Sequence, residues 1–291
     1  MKPSFLALPI ALAGLTTTSN AHPAPTKTHH TTTIWQPTVG LTWQVLLSHP
    51  LAPPPFTPEV DIFTIDLFDN PKTTITTLHT LHRKAICYFS AGTYESWRPD
   101  KSKFHTNSTA TNKIKTIGSP LDDWPGESWV DLRAREIRDI MASRLDLAVE
   151  KGCDGVDPDN IDAYDNEGGG LGLTKADSVE FMIWLAEEAH SRGLAIGLKN
   201  AKEIIAGVIG DMQWSVNEQC AEFEECEEYA AFIKAGQPVF HVEYLKGNGG
   251  SDEVEVDVGV RELEEACEAP GSRGFSTVIK NVDLDEWVQG C

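Results

Sequence analysis

Between Cys153 and Tyr164 the chain reads CDGVDPDNIDAY, and the acids Asp157, Asp159, Asp162 and Asp165 crowd around Asn160 there. Cys153 to Val156 is a short run that reads as a buried strand, so these acids lie at its carboxyl end. Alternate strand residues share a face, which puts Asp157 and Asp159 on one side, the first deeper and the second nearer the mouth. Pro158 has no amide to donate and suits a strand's last residue better than its middle. Two carboxylates on one face repel, a cost that packing alone does not require. A calcium loop needs D-x-[DN]-x-[DN]-G with a closing Glu, and no start among these acids supplies it. Charge at the carboxyl end of a parallel strand faces a site, so a catalytic strand end is expected here rather than a solvated acidic turn.

The elements that hold this stretch recur along the chain. Apolar runs at 41–47, 60–67, 85–89, 153–156, 194–198, 212–216, 239–244 and 275–279 alternate with amphipathic stretches, about eight units in one domain. That period predicts an α/β fold, a single-domain (β/α)8 TIM barrel with a parallel sheet. Ser128 to Asp131 resembles a capping box opening a helix over 132–150, and Thr174 with Asp177 does the same for the next helix, with Gly193 as its stop. Asn70-Pro71 starts a weaker helix to His82, 223–235 ends at Gly236, and Asp257 or a neighbour opens 258–267. Arg98 to Glu127 reads as one long loop of lid-like character. No glycine-rich phosphate fingerprint follows any strand.

In such a barrel the strands' carboxyl ends form the site. They carry Asp66 and Asp69, then Tyr88, Ser90 and Tyr94, Lys199 and Asn200, Asn217 and Glu218, Glu243, and Lys280. Ala195, Gly197 and Lys199 share a face, small residues leading up to a charge. No Ser-His-Asp order and no H-E-x-x-H appears, so neither metal nor cofactor is expected. A pocket of Asp, Glu, Asn, Tyr and Lys matches glycosidic bond cleavage, in which one carboxyl donates a proton and a second attacks or activates water. Asp159 and Glu218 are the expected catalytic pair. Lys199 between them is placed to hold Asp159 ionised, which leaves Glu218, on the strand with bulky Trp214, as proton carrier. Asp66, Tyr88, Tyr94, Asp157, Asn160, Lys199, Asn217 and Glu243 are expected to bind substrate. Trp97, Trp124 and Trp129 could stack on sugars, with core packing an equal alternative.

Composition bounds the partners. The 291 residues carry a formal charge of -20, which argues against nucleic acid and anionic membrane, since both need a basic patch. Residues 1–21 read as a secretory signal with an apolar run from Phe5 to Leu15, too short to span a bilayer, and the Pro/Thr/His-rich stretch 22–33 as a flexible leader. The barrel is expected over 34–291. Export makes the 6 cysteines expected disulfide partners, with 15 pairings open. Cys220 and Cys226 are close in sequence, Cys267 with Cys291 would pin the terminus, and Cys87 with Cys153 is what remains. Asn107-Ser108-Thr109 is a glycosylation sequon. A secreted monomer is expected.

CYFSAGTYESWRPD (87–100), IGSPLDDWPGESWVDLR (117–133), GCDGVDPDNIDAY, GLAIGLKNA (193–201) and NEQC (217–220) together resemble glycoside hydrolase family 114, the endo-α-1,4-polygalactosaminidases. The resemblance runs in order from about Thr33 to Cys291. It implies a barrel that cleaves inside chains of α-1,4-linked galactosamine, as in galactosaminogalactan, with Asp159 of DPDN as nucleophile and Glu218 of NEQC as acid/base. Distant kinship with retaining α-galactosidases, whose nucleophile also sits as Asp-Asn on the fourth strand, implies retention. Galactosamine units with a free amine are cations, so the resemblance gives Asp66, Asp157 and Glu243 the task of pairing with that amine. Two rivals are an α-galactosidase-like hydrolase of a neutral polysaccharide, separated by assaying neutral galactan, and a silent polysaccharide-binding barrel, whose mark would be a missing carboxylate at Asp159 or Glu218.

Overall fold

The short β-branched and apolar runs form strands because each can be buried on both faces, one against the barrel interior and one against helices. In the computed structural model, which describes residues 33–105, 116–244 and 259–291, these strands are β1 (Trp43–Leu46), β2 (Ile62–Asp66), β3 (Lys84–Ser90), β7 (Gly155–Asp159), β8 (Ala195–Lys199), β9 (Trp214–Glu218), β10 (Val239–Tyr244) and β11 (Ser276–Lys280). They pair in parallel in that order, and β12 (Val288–Gly290) adds antiparallel to β11. The ring closes at β1 without a ladder among the described residues. Trp43 Nε1 donates to Ser276 O at 2.8 Å, and Lys280 Nζ donates to Gln44 Oε1 at 3.1 Å and Asp285 O at 2.6 Å across the seam. Burial pulls Lys280 down to about 8 against the opposing pull of Asp285. Thr33 to Cys291 form one compact unit, a (β/α)8 barrel.

The helices are α1 (Lys72–Thr80), α2 (Arg135–Lys151), α3 (Lys175–Ser191), α4 (Ile205–Val208), α5 (Cys226–Lys234) and α6 (Val260–Cys267). The Thr174/Asp177 capping box opens α3 as its sequence requires, with Thr174 N donating to Asp177 Oδ2 at 2.8 Å. The second expected box does not form. Ser128 lies inside a strand, and Asp131 instead takes Arg133 Nε at 2.8 Å, so α2 starts after Ala134 with no side-chain cap.

The expected long loop is also partly ordered. β4 (Thr93–Glu95), β5 (Ile117–Pro120) and β6 (Glu127–Val130) make a three-stranded antiparallel sheet of order β4-β6-β5 over the mouth side of β3. Strands this short, with Gly118, Ser119 and Pro120 in one of them, carry no alternation to read. Likewise β7 runs on through Pro158, beyond the apolar run that marks its start. Its ladder to β8 ends at Val156, whereas β3 still pairs Phe89 with Pro158, so the missing amide removes no bond on the β8 side.

Apolar side chains form two layers. Trp43, Ile62, Ile86, Ala195, Trp214, Val216, Phe240, Val242 and Val278 fill the barrel, and a larger set including Phe63, Ile65, Leu198, Phe181 and Leu185 packs strands on helices. A Cβ on Gly197 would stand 2.0 Å from Trp214 Nε1, so glycine there lets the indole close the barrel's centre beneath Lys199. Disulfides join Cys87 to Cys153, Cys220 to Cys226 and Cys267 to Cys291, the pairing reached by elimination from the sequence. The signal and leader, the Asn107 sequon and Asp257 lie outside the described residues. No helix among the described residues is long and apolar enough to cross a membrane.

Candidate active site

Strand alternation decides which polar residues meet. Inward positions on β7 are Gly155, Asp157 and Asp159, on β8 Ala195, Gly197 and Lys199, and on β9 Trp214, Val216 and Glu218. At the mouth Lys199 Nζ lies 3.1 Å from Asp159 Oδ2 and 3.2 Å from Glu218 Oε2, so one buried ammonium bridges the two carboxylates. Tyr88, inward on β3, donates its hydroxyl to Asp159 Oδ2 at 2.9 Å, and the amide of Asn160 donates to Asp159 Oδ1 at 2.8 Å. Lys199 Nζ also sits 5.3 Å from the centre of the Tyr88 ring.

Glu218 is held as tightly. Asn200 Nδ2 donates to its Oε2 at 2.9 Å while its own amide donates to Asn200 Oδ1 at 2.9 Å, and the Tyr244 hydroxyl donates to Oε1. Burial pushes the Glu218 carboxyl up, yet Lys199 and the hydrogen bonds from Tyr244 and Asn200 outweigh it and leave the group lowered. Asp157 carries the opposite perturbation. It is 1% exposed, its Oδ1 has no hydrogen-bond partner, and burial pushes it up to about 7 against the pull of Lys199. Asp162 is pushed up to about 6, by burial and then by Asp159. Lys199 is raised, because Asp159, Glu218 and Asp157 together overcome its desolvation.

Four residues expected to bind substrate lie elsewhere. Asp66 faces inward, but it is buried, its Oδ2 meets Arg98 Nη1 at 2.7 Å and its Oδ1 accepts from the amides of Phe68 and Asp69 at 2.7 and 3.0 Å, so both oxygens are engaged within the protein. Asn217 and Glu243 occupy outward positions on β9 and β10. Asn217 is fully buried and accepts from Cys220 N at 3.0 Å, and Glu243 Oε1 accepts from Ala221 N at 2.7 Å with His241 Nε2 also 2.7 Å away. A cavity of about 670 Å³ is lined by Glu243 and also by Tyr244, Ile279, Glu227 and Glu265. Tyr94 turns its ring edge-on to Phe104, 5.5 Å between centres. Trp129 is core, while Trp97 and Trp124 are half exposed.

Of the two side chains that hold Glu218 beside Lys199, Tyr244 escaped the sequence reading and Asn200 was noted only as a strand-end residue. Tyr244 follows Glu243 in the chain, and the alternation from Phe240 and Val242 marks it as the inward member of that pair. Asn200 reaches Glu218 from a left-handed backbone conformation, φ 49°, that no local pattern announces. Cys220, Cys226 and His241 cluster closely enough for a metal, but both sulfurs are committed to the disulfide.

The arrangement suits acid/base and nucleophilic work on a neutral or cationic substrate: two carboxylates at a mouth, oriented by four hydroxyl or amide donors and one ammonium. Residues 24–291 match the family model described as glycoside-hydrolase family GH114. Among solved structures, the chain is 51% identical to Aspergillus fumigatus Ega3 in complex with galactosamine, covering 88% of this chain and 97% of that one with a TM-score of 0.81. The glycoside hydrolase domain of PelA from Pseudomonas aeruginosa shares the fold at 14% identity and a TM-score of 0.59, over 86% of this chain and 97% of that one. A comparison with curated protein sequences gave no match.

Proposed function

The chain belongs to glycoside-hydrolase family GH114 and is a glycoside hydrolase, and from that premise we propose that it cleaves α-1,4-linked galactosamine polymers internally, with retention. Galactosamine held by the 51% identical Ega3 supports the substrate class. The observation that carries the mechanism is Lys199 bridging Asp159 and Glu218. Its two contacts, 3.1 and 3.2 Å, bound from above the separation of the two carboxylate oxygens it touches, and that bound falls just short of the roughly 6.5–9.5 Å that leaves room for an attacking water, which favours retention.

In this reading Asp159 attacks the anomeric carbon and forms a glycosyl ester, while Glu218 gives a proton to the departing glycosidic oxygen. Water then attacks the ester, Glu218 takes its proton, and Asp159 leaves as carboxylate. Tyr88, the Asn160 amide and Lys199 hold Asp159 aimed. Glu218 must gain its proton as sugar covers it, since removing water from that carboxylate works against its three stabilising contacts. Asp157, beneath Asp159 and without a partner at Oδ1, supports a role in taking the substrate amine. We also infer export, in accord with the three disulfides and the apolar segment before residue 21.

The deciding experiment incubates the protein, Asp159→Asn and Glu218→Gln with polygalactosamine and reads released oligosaccharides by mass spectrometry. Oligomers from wild type and none from either variant establish the reading. Cleavage of neutral galactan in preference, or binding without release, overturns it.

A further inference from the structure

Asp159 is followed by Asn160, whose backbone sits at φ 61°, in the left-handed region. Two features of the β3–β4 turn lock it there. A Cβ on Gly92 would fall 1.5 Å from Asn160 O, so only glycine admits the chain at this point. The amides of Ala91 and Gly92 both donate to Asp159 O, at 2.8 and 3.1 Å.

The Asn160 side chain then enters a line of hydrogen bonds whose direction is fixed by its end. Glu127 Oε2, on β6, accepts from Thr93 Oγ1 at 2.7 Å, which uses the only hydroxyl proton Thr93 has. Ser90 Oγ, in contact with Thr93 Oγ1, must therefore be the donor of that pair. Ser90 Oγ in turn accepts from Asn160 Nδ2 at 3.0 Å and from Thr93 N at 3.2 Å. Every link runs the same way, from Asn160 through Ser90 and Thr93 to Glu127. Ser90 and Thr93 are fully buried and Glu127 is 8% exposed, so water does not compete strongly for the hydroxyls. At its other end Asn160 gives its backbone amide to Asp159 Oδ1 at 2.8 Å.

We propose that Ser90, Thr93 and Glu127 are positioning residues for the nucleophile: the small sheet β4-β6-β5 reaches the reaction centre through Asn160 and sets the direction in which the Asp159 carboxylate points. This assigns Asn160 to holding Asp159 in place of binding sugar. It also gives the insert sheet a task that a lid does not have, since its contact is with the protein's own aspartate. The assignment rests on Asp159 being the nucleophile of the proposed reaction.

Thr93→Val keeps the shape of the side chain and removes the hydroxyl, whereas Thr93→Ser keeps the hydroxyl. With polygalactosamine as substrate, Thr93→Val is expected to lose about 10- to 100-fold in kcat with KM little changed, because the nucleophile is misaimed while the groove is intact. Thr93→Ser is expected to restore most of the loss. A packing defect would lower both variants' melting temperatures without separating their kcat values. Wild-type kcat in Thr93→Val, or equal losses in the two variants, overturns the proposal. Should wild type release no oligomers, the functional reading fails by itself, and crystal structures decide the relay: Asp159 still on the Asn160 amide in Thr93→Val refutes it, and a turned carboxylate supports it.

Discussion

Two buried clusters of charge lie within the barrel's upper half, and they are built on different ratios. Around Arg98 and Arg144, the carboxylates of Asp66, Glu95 and Asp100 are matched by two guanidinium groups: Arg98 holds Asp66 at 2.7 Å and Glu95 at 2.8 Å, Arg144 holds Asp100 through two contacts at 3.0 Å, and both sit 5.0 Å from the Phe68 ring centre. Around Lys199, Asp157, Asp159 and Glu218 share a single ammonium. The first cluster offsets most of its charge with bidentate geometry and cation–π contact, although burial still pushes Glu95 up to about 7 against the pull of Arg98 and Arg144, and its surroundings are the insert sheet and α2. The second leaves three carboxylates to one ammonium, negative charge in excess at an open mouth; each cluster holds one carboxylate oxygen without a hydrogen-bond partner, Glu95 Oε2 in the first and Asp157 Oδ1 in the second. Imbalance of this kind destabilises a fold and pre-forms a site for something cationic or for charge that develops in a transition state.

Replacing one cation in each cluster separates the two roles most strongly. Lys199→Met is expected to lose roughly 10²–10³-fold in kcat, because it removes a fixed charge from the reacting carboxylates. Arg98→Met is expected to cost about 3–5 kcal/mol of stability in denaturant titration, since it strands two buried acids, while the folded fraction turns over normally. A comparable kcat loss in Arg98→Met would erase the distinction.

Asp157 gives a smaller test, in stability as a function of pH. Its folded value, about 7, stands above its ordinary 3.8, so the folded state keeps a proton that the unfolded chain releases. Its presence therefore costs stability progressively as pH rises through that window, and the cost is complete above it. Asp157→Asn should match wild type in melting temperature near pH 4 and exceed it increasingly up to neutrality. A constant difference across that range would show that Asp157 titrates alike in the folded and unfolded chain.

Least in size is a displacement of pH limbs. Glu218 is lowered in the free protein and must be protonated to act, so the basic limb of kcat/KM, which reports free protein, should fall at lower pH than the basic limb of kcat. Coincident limbs would mean that substrate does not raise Glu218, and would assign the proton to another group, with Asp157 first to examine.

Several parts of this arrangement were legible along the chain because they are local. The eight runs, the Thr174/Asp177 box, and the alternation that puts Asp157, Asp159 and Lys199 on interior faces follow from period and chemistry within a few residues. Asp66 shows where that reading stops. It too is inward at a strand's carboxyl end, yet Arg98, far along the chain, claims it. Asn217 and Glu243 were expected in the site because they close β9 and β10, although a one-residue offset in a strand reverses the face.

The sequence by itself determined the repeating strand and helix pattern, the carboxylates at strand ends and the family to which the chain belongs, since these depend on residue type and short spacing. Tertiary structure alone decided which acids go to arginines and which remain for Lys199, that residues between Arg98 and Glu127 build a sheet, and that Glu127 connects through Ser90 and Thr93 to Asn160. Those outcomes depend on burial and on partners distant in sequence, where desolvation sets which charge must be matched and no local pattern records the match.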